Sequence, residues 1–326
     1  MVCGACGAIV EPTASIWRCT CGGALSFGTS TVAPPVALPR ITMGEGNTPI
    51  ERVTVGDRDV RAKVEFESPT GSFKDRGAAV LIAAAVDLGA TSVVADSSGN
   101  AGAAIAAYAA RAELPCEVFV SVGLASSKMA RIKGEVIGVK GTREDVAAAA
   151  VARVEETGAF YASHVWNPWF YEGTKHYVLE IVAELGRLPD ALVLPAGNGT
   201  LVLGAQRAFR ELNASTPIIA VQARACAPIA EAFVARRDHA EPVIDSGTVA
   251  AGIAIGKPVR GDEILAAVRA SGGDVVTVTD EEILATASEL AAQGYVVDPT
   301  AAAPAAALAY IDVDDVIIPL AAGTRA

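Results

Sequence analysis

The sequence predicts an α/β protein with mainly parallel sheets, and two observations support this fold class. Short apolar runs typical of buried strands alternate with longer helix-forming stretches along most of the 326 residues. Such alternation is typical of βαβ units, whose strands pair in parallel. In addition, 52% of the residues are hydrophobic, so a chain of this length can bury a large core and form two domains.

Each predicted element has a local signal. Apolar runs between glycine, proline or polar residues predict strands at 61–66, 92–95, 116–121, 135–139, 191–194, 218–221, 274–278 and 313–320. Stretches rich in helix formers predict helices at 73–88, 100–112, 126–133, 144–156, 171–186, 201–212, 280–293 and about 301–311. Pro304 is unfavourable inside the last helix, so an alternative is that this helix begins later, with Pro304 in its first turn. The proline-rich segment 29–41 is predicted to be a linker.

The composition and charge of the chain exclude some classes of partner and function. The formal net charge is −11 and the sequence pI is near 4.9, which argues against nucleic acid as a partner because phosphate backbones attract clustered Lys and Arg. A small-molecule partner is therefore expected. We find no window of eighteen strongly apolar residues and no basic flank or apolar core of a signal peptide at the start, so we expect a cytosolic protein.

Lys74 is a candidate nucleophile. It lies in the segment E-S-P-T-G-S-F-K-D-R-G (residues 67–77), where a turn leads into a predicted helix, and Ser72 with Asp75 predicts a capping box. The positive end of the helix dipole and partial desolvation both favour the neutral, nucleophilic amine, which suits Schiff-base formation. Asp75 and Arg76 are interpreted as a helix-start carboxylate and an ion pair that fix this turn, with a catalytic role as the alternative.

Two predicted strand-to-helix loops are candidate anion sites. The first, D-S-S-G-N-A-G (96–102), offers backbone N–H groups, two serine hydroxyls and an asparagine amide, which suit a carboxylate at a helix N-terminus. The second, P-A-G-N-G-T (195–200), suits a phosphate because Gly197 and Gly199 let the backbone approach an anion closely and Thr200 adds a hydroxyl. Both loops follow the carboxyl ends of strands, where open α/β sheets bind ligands.

Four of the six cysteines lie within the first 21 residues, as Cys3, Cys6, Cys19 and Cys21. Glycines after each pair permit tight turns that aim the sulfurs at one point, which favours tetrahedral zinc, and a cytosolic setting disfavours disulfides. The Cys-x-Cys spacing of the second pair is shorter than usual, so a metal-free remnant is the alternative. Cys116 and Cys226 are predicted to be small buried apolar residues, and we assign them no catalytic or metal-binding role.

Together, the lysine segment and the two loops resemble the lysine, carboxylate and phosphate motifs of fold-type II pyridoxal-phosphate enzymes, most closely threonine synthase. Four further segments resemble family segments in the family's order, namely 44–49, 167–173, 248–256 and 298–302. The resemblance implies two doubly wound open sheets of the tryptophan synthase β type. It also implies a zinc-ribbon-like segment (1–28), a large cofactor-binding domain (29–77 and 171–326) and a smaller inserted domain (78–170), with the active site in the cleft between the domains.

The resemblance further implies roles for single residues. Lys74 would hold pyridoxal 5′-phosphate as a Schiff base and then shuttle protons, Phe73 would pack near the ring, and Asn100 would bind the 3′-oxygen. The cofactor phosphate would be held by Gly197, Asn198, Gly199 and Thr200. The substrate carboxylate would be held by Ser97, Ser98, Gly99, Asn100 and Ala101. Threonine synthases eliminate phosphate from O-phosphohomoserine and add water to give threonine; a homodimer and an N-terminal cysteine ribbon are family expectations.

Two positions depart from the family pattern. An arginine that grips the substrate phosphate commonly stands where Phe170 is, and its loss weakens phosphate recognition by a few kcal/mol. The candidate replacements are Lys63, Arg131, Lys175 and His176. A threonine or serine usually faces the pyridine nitrogen where Leu320 stands, and Thr324 is the candidate substitute.

Three functions therefore remain open. We prefer a threonine synthase or a close paralogue. The second is another reaction on the same cofactor, either deamination of serine or threonine or a β-replacement such as cysteate formation from phosphoserine. The third is a binding or regulatory protein that has lost turnover. A dehydrogenase is disfavoured because Val202 occupies the third glycine position of G-x-G-x-x-G, and the histidines, His164, His176 and His239, are interpreted as surface or packing residues.

Overall fold

A computed structural model describes residues 1–28, 41–123 and 129–326. Its strands are β1 (Val2–Cys3), β2 (Leu25–Ser26), β3 (Ile50–Val55), β4 (Arg58–Lys63), β5 (Val93–Ala95), β6 (Cys116–Ser121), β7 (Glu135–Val139), β8 (Phe160–Tyr161), β9 (Ala191–Pro195), β10 (Ile218–Ala223), β11 (Asp274–Val278), β12 (Tyr295–Val297), β13 (Val316–Pro319) and β14 (Gly323–Arg325). Its helices are α1 (Lys74–Asp87), α2 (Asn100–Arg111), α3 (Arg143–Thr157), α4 (Pro168–Thr174), α5 (His176–Leu185), α6 (Thr200–Leu212), α7 (Pro228–Val234), α8 (Gly261–Ala270), α9 (Asp280–Ala292) and α10 (Pro299–Ala306). Two predicted segments fall partly outside the described residues. They are the linker predicted at 29–41, of which only Ile41 is described, and the helix predicted at 126–133, of which residues 126–128 are not described.

The chain divides into two compact units. The small unit comprises Met1–Glu45 and Lys74–Gly173, and the large unit comprises Gly46–Phe73 and Thr174–Ala326. The cysteine-rich segment at the start of the chain therefore groups with the small unit.

The sheet of the small unit has four parallel strands in the order β7-β6-β5-β8. Successive side chains of a strand point to opposite faces, so each strand contributes to two cores. On one face, Val93 and Ala95 pack in a cluster with residues of α1 and α2. On the other face, Val94 packs in a cluster with residues of α3. Helices on both faces of a parallel sheet make this unit doubly wound, as predicted.

The sheet of the large unit has six strands in the order β11-β10-β9-β13-β4-β3. All neighbouring pairs are parallel except β3 and β4, which form an antiparallel hairpin with Gly56 in a left-handed conformation (φ 61°) in its turn. Strand β3 was not predicted, because Glu51 and Arg52 interrupt its apolar pattern. A separate antiparallel ladder joins β12 to β14.

Several boundaries differ from the prediction. The strand predicted at 61–66 begins at Arg58 and gives way after Lys63 to a 3₁₀ helix at Glu65–Glu67. The helix predicted at 171–186 is two helices, α4 and α5, and the predicted strand 313–320 is shortened to β13. The short helices α7 and α8 were not predicted.

Pro304 lies inside α10, so the alternative in which this helix begins later, with Pro304 in its first turn, is wrong. The helix begins at Pro299, where the missing N–H costs nothing, and Asp298 caps it by accepting a hydrogen bond from the Ala301 N–H (2.8 Å). After Ala306 the chain tightens into a 3₁₀ helix.

Among the described helices, none combines the length and the apolar character that a membrane span requires.

Candidate active site

Lys74 is the first residue of α1. Gly71 turns the chain in a left-handed conformation (φ 82°) just before it. The predicted capping box is not formed, because the Ser72 hydroxyl is buried without a hydrogen-bond partner. Asp75, in the first turn, is fully buried. Lys74 therefore lies at the positive end of a helix dipole.

The aromatic ring of Phe170 lies beside the Lys74 amine, with 5.7 Å between Nζ and the ring centroid. Phe170 is fully buried, and it is carried by α4, which packs on α1. The two helices approach closely at Gly173, where an added Cβ would lie 2.0 Å from the Arg76 carbonyl oxygen. Position 170 thus offers the amine an aromatic face instead of a cationic group.

His164 lies near Lys74 and Phe170, and no catalytic or binding role was predicted for it from the sequence. Its ring is 5.9 Å from the Phe170 ring in an edge-on arrangement, and its Nδ1 is buried without a hydrogen-bond partner. Burial holds the pKa of His164 well below its ordinary value, and the charges of Lys74 and Arg143 lower it further. His164 is therefore neutral at physiological pH. No motif marked it, because the strand it follows, β8, has only two residues.

The loop at 96–99 connects β5 to α2 in the small unit. The N-cap of α2 is Gly99, and no side chain caps this helix. The loop has a fixed shape at its base, since a Cβ added at Gly102 would lie 1.7 Å from the Ser97 carbonyl oxygen. Along the predicted carboxylate-binding residues, burial rises toward the helix: Gly99 is exposed, Ser97, Ser98 and Asn100 are half-buried, and Ala101 is buried. The N-terminus of α2 is therefore not capped by a side chain, and its backbone N–H groups suit an anion such as a carboxylate.

The loop at 196–199 makes the same connection between β9 and α6 in the large unit. Gly199 is the N-cap, in a left-handed conformation (φ 69°), and again no side chain caps the helix. Gly197 has no room for a side chain, because an added Cβ would lie 2.6 Å from the Gly252 carbonyl oxygen. Asn198 is half-buried and Thr200 is buried. This loop places two glycines at a helix N-terminus, an arrangement that suits a phosphate group.

The C-terminal segment shows why position 320 supplies no polar group. The Leu320 side chain is fully buried in the apolar core of the large unit, and its N–H donates to the Lys63 carbonyl oxygen (2.9 Å). Thr324 lies in β14 opposite Val296 and is exposed. In the same unit, the Phe73 N–H donates to the Ala321 carbonyl oxygen (3.0 Å).

Two of the cations considered as substitutes for an arginine at position 170 have other partners. The Lys63 ammonium is buried, donates to the Thr48 carbonyl oxygen (2.7 Å) and lies 3.3 Å from the Glu180 carboxylate. The Lys175 ammonium pairs with Glu211 (2.7 Å). A phosphate that recruited either lysine would have to break an existing pair.

The four N-terminal cysteines converge, as predicted. Their sulfur atoms all lie within 4.8 Å of one another, with 3.5 Å between Cys3 and Cys21 and 3.7 Å between Cys6 and Cys19. Four sulfurs bound to one zinc ion at about 2.3 Å would be roughly 3.8 Å apart, so the spacing fits a tetrahedral ion. None of the six cysteines forms a disulfide.

Backbone N–H groups favour the thiolate at two of the cysteines, Cys3 and Cys19, whereas the neighbouring cysteine side chains raise the pKa of Cys21 to about 12. The pKa of Cys19 is lowered to about 7, mainly by the backbone N–H of Cys21. The pKa of Cys3 is lowered, mainly by the backbone N–H of Cys6. Thiolates are the form in which cysteine binds metals.

The chain is similar in sequence to known enzymes. Residues 41–320 match the family model described as pyridoxal-phosphate dependent enzyme. The threonine synthase of Methanosarcina acetivorans is 35% identical over 291 residues, which cover 84% of this chain and 72% of that protein. The threonine synthase of Synechocystis sp. is 36% identical over 287 residues, which cover 83% of this chain and 73% of that protein.

The fold is similar to solved structures with other names. A maize serine racemase matches with a TM-score of 0.75 and 25% identity, covering 85% of this chain and 88% of that chain. A threonine deaminase from T.th. matches with a TM-score of 0.73 and 25% identity, covering 86% of this chain and 93% of that chain.

Proposed function

Since this chain belongs to the family of pyridoxal-phosphate-dependent enzymes and is related to threonine synthases, we propose that it is a lyase that eliminates phosphate from O-phosphohomoserine and adds water to form threonine. The observation that carries the proposal is a pair of helix N-termini, at Gly99 and Gly199, that no side chain caps. One suits the substrate carboxylate and the other suits the cofactor phosphate.

The residues present fit pyridoxal phosphate. At Gly197 the loop has no room for a side chain, and its N-cap, Gly199, has the left-handed conformation that suits an anion-binding turn. Gly197, Asn198, Gly199 and Thr200 would hold the phosphate. Lys74, at the start of α1, would bind the aldehyde carbon covalently. Phe73 would pack on the ring, and Asn100 would donate to the ring oxygen.

When bound, the cofactor supplies an electron sink for negative charge at the substrate α-carbon. The chain's own residues do the rest. The N–H groups and hydroxyls of residues 97–101 would orient the substrate by its carboxylate. The Lys74 amine would remove and return protons at the substrate carbon atoms. The polar group that faces the ring nitrogen is proposed to be Thr324, in β14.

Substituting Lys74 tests the cofactor assignment. The purified wild-type protein should show the visible absorbance band of lysine-bound pyridoxal, and borohydride reduction should fix the mass of the cofactor on the peptide that contains Lys74. Lys74→Ala should abolish both signals, whereas Lys63→Ala, which changes a buried lysine of the large unit, should abolish neither. Retention of the fixed mass in Lys74→Ala would refute the assignment.

A second reaction, deamination of serine or threonine, is favoured by Phe170. This residue is fully buried beside the Lys74 amine and supplies no charge to a phosphate, and the neutral His164 next to it supplies none either. Product analysis separates the two reactions: O-phosphohomoserine should give threonine and inorganic phosphate, whereas deamination of threonine should give 2-oxobutanoate and ammonia. Oxoacid formation that exceeds phosphate release in kcat/KM would select the deaminase. Phosphoserine with sulfite tests for the β-replacement to cysteate.

We also propose a structural zinc ion bound by Cys3, Cys6, Cys19 and Cys21 in a zinc-ribbon-like segment. Support comes from the convergence of four sulfurs within 4.8 Å and from the backbone N–H groups that lower two thiol pKa values. Gly23 is packed against this cluster, since an added Cβ would lie 2.7 Å from the Cys3 sulfur. Structural zinc sites contribute directly to folding free energy.

Metal analysis of the purified protein tests this. We expect about one zinc ion per chain after dialysis. Cys6→Ser should reduce the zinc content strongly, while Cys226→Ser, a buried cysteine outside the cluster, should leave it unchanged. Equal metal content in Cys6→Ser and the wild type would contradict the proposal.

A further inference from the structure

Asp96 connects the sheet of the small unit to the carboxylate loop. It follows the last residue of β5 and directly precedes Ser97. Its Oδ2 accepts a hydrogen bond from the Tyr161 hydroxyl at 2.9 Å, and its Oδ1 is buried without a hydrogen-bond partner. Burial raises the pKa of Asp96, and the Tyr161 hydrogen bond opposes this. The Tyr161 hydroxyl is thus the side-chain donor that fixes this carboxyl group.

Tyr161 is itself held by the cysteine segment. Its ring is almost fully buried and packs edge-on against Trp17, with 4.9 Å between ring centroids and 80° between planes. Trp17 lies two residues before Cys19 and also packs edge-on against Trp166, at 5.2 Å. Edge-on aromatic pairs fix relative orientation as well as burying area. A series of contacts therefore runs from Trp17, in the cysteine segment, through Tyr161 to Asp96.

The loop has little freedom to absorb a shift of Asp96. The carbonyl oxygen of Ser97 lies against Gly102 so closely that an added Cβ would be 1.7 Å away. Gly102 belongs to the first turn of α2, whose N-terminus faces the loop. A displacement of Ser97 therefore changes where the N–H groups of residues 97–101 point.

We propose that Tyr161 is a positioning residue through which the N-terminal cysteine segment fixes the carboxylate-binding loop. Trp17 sets the orientation of the Tyr161 ring, the Tyr161 hydroxyl sets the Asp96 carboxyl group, and Asp96 sets the start of the loop. This inference rests on the proposed binding of the substrate carboxylate by residues 97–101. It gives the cysteine segment a role in substrate affinity in addition to any role in folding.

The experiment compares Tyr161→Phe with Tyr295→Phe in the cofactor-loaded protein. Both tyrosines are buried and both donate to a carboxylate, since the Tyr295 hydroxyl donates to Glu51 at 2.6 Å in the large unit. Amide hydrogen exchange is measured for residues 97–102 without substrate. Tyr161→Phe should accelerate this exchange about tenfold, the change expected from losing one hydrogen bond to a carboxylate, and Tyr295→Phe should not.

The kinetic readout uses whichever amino acid the protein turns over. Tyr161→Phe should raise KM about tenfold and change kcat little, because a misplaced loop weakens binding of the carboxylate in ground state and transition state alike. Wild-type exchange at 97–102, or equal acceleration across the whole small unit, would overturn the proposal. If no substrate is found, the exchange result still decides the positioning role, so its failure is distinguishable from failure of the proposed function.

Two further pairs of variants test the individual links. Asp96→Asn keeps an acceptor for Tyr161 and should keep slow exchange, whereas Asp96→Ala should not. Trp17→Leu should reproduce the effect of Tyr161→Phe. Arg18→Ala, which removes the cation 4.4 Å from the Trp17 ring centroid and the ion pair with Glu155 but leaves the Trp17–Tyr161 contact, should not reproduce it. If residues 97–102 exchanged at the same rate in Trp17→Leu and in the wild type, the proposed role of the cysteine segment would be contradicted.

Discussion

The Phe170 ring occupies the space that a side chain at Gly77 would need: a Cβ added to Gly77 would lie 2.3 Å from ring atom Cε1. Gly77 is one turn after Lys74 in α1. The contact between these two residues therefore determines how closely α4 approaches the helix that carries the candidate nucleophile. Packing, and not backbone conformation, requires glycine at position 77.

Gly77→Ala should destabilise the protein by about 1–3 kcal/mol, because the added methyl group overpacks a buried contact with a rigid ring. The free energy of urea-induced unfolding measures this. The double variant Gly77→Ala/Phe170→Leu provides the control, since leucine removes the ring edge that collides. Its destabilisation should be smaller than the sum of the two single effects, and strict additivity would contradict the packing argument.

Gly199→Ala should weaken binding of pyridoxal phosphate. Its left-handed conformation (φ 69°) and the 2.4 Å distance from an added Cβ to the Ile264 side chain both oppose alanine at this position. Titration of the cofactor, followed by its visible absorbance, gives the change in affinity, which we expect to be tenfold or more.

Gly186→Ala is the matched control for Gly199→Ala. Gly186 has a similar left-handed conformation (φ 73°), but an added Cβ would meet nothing within 4 Å. This variant should lose stability by about 1 kcal/mol and keep its cofactor affinity. Similar losses of affinity in both variants would show that strain alone, and not the loop at 196–199, explains the effect.

The sequence was sufficient to predict those parts of the fold that depend on local pattern. Strands β6, β7 and β11 were predicted with the bounds that the structure gives, because each is rich in valine and other apolar residues and lies between turn residues. The α/β class followed from their alternation with helices. The strands that were missed, such as β3 and β8, are charged or only two residues long, and tertiary pairing alone defines them.

The candidate site was predictable only where a motif marks it. Lys74 and the two glycine-containing loops carry a turn and a helix start in their own sequence, and the structure has these features at the predicted positions. His164 and Tyr161 lie in no recognisable sequence motif. Their burial and their contacts, of His164 with Phe170 and of Tyr161 with Asp96, depend on residues of other elements. The capping box predicted at Ser72 is not formed because α1 begins at Lys74, which places Ser72 one residue before the N-cap position.

His164 should make stability depend on pH. Its pKa is lowered in the folded protein, so below the ordinary value of 6.5 the unfolded chain binds a proton that the folded protein does not, and stability falls as pH falls. Between pH 7.5 and pH 5.5 the free energy of unfolding of the wild type should fall by about 1 kcal/mol relative to His164→Gln. Urea unfolding at the two pH values measures the difference.

His239 provides a control of opposite sign. This exposed histidine has a raised pKa, because Asp262 accepts a hydrogen bond from its ring and attracts its positive charge. Its contribution to stability is therefore present below pH 6.5 and lost as pH rises through the folded-state pKa. His239→Gln should lose stability relative to the wild type at pH 5.5, in contrast to His164→Gln. A common pH trend for both variants would contradict the assignment of His164 as a buried neutral side chain.

Arg325 should stabilise the C-terminal strand β14 in a manner that depends on pH. Its guanidinium donates to Glu51 (2.6 and 3.0 Å) and to Glu67 (2.6 Å), and it lies 5.0 Å from the Tyr295 ring centroid. The Arg325 side chain is 45% exposed, so solvent screening limits its contribution to about 0.5–1 kcal/mol. Arg325→Gln should lower the free energy of unfolding by this amount at pH 7.

The free energy of unfolding at acidic pH shows whether Arg325 stabilises the protein by its charge or by packing on aromatic rings. The pKa of Glu51 is lowered from 4.5, mainly by its hydrogen bonds from Arg325, so the stabilisation is present above pH 4.5 and is lost as pH falls through the folded-state pKa. The difference between the wild type and Arg325→Gln should therefore disappear in acid and shrink in high salt. Arg269→Gln removes a pair with Asp238, which is 91% exposed, and should change stability little at either pH. A pH-independent loss in Arg325→Gln would assign the effect to aromatic packing instead of charge.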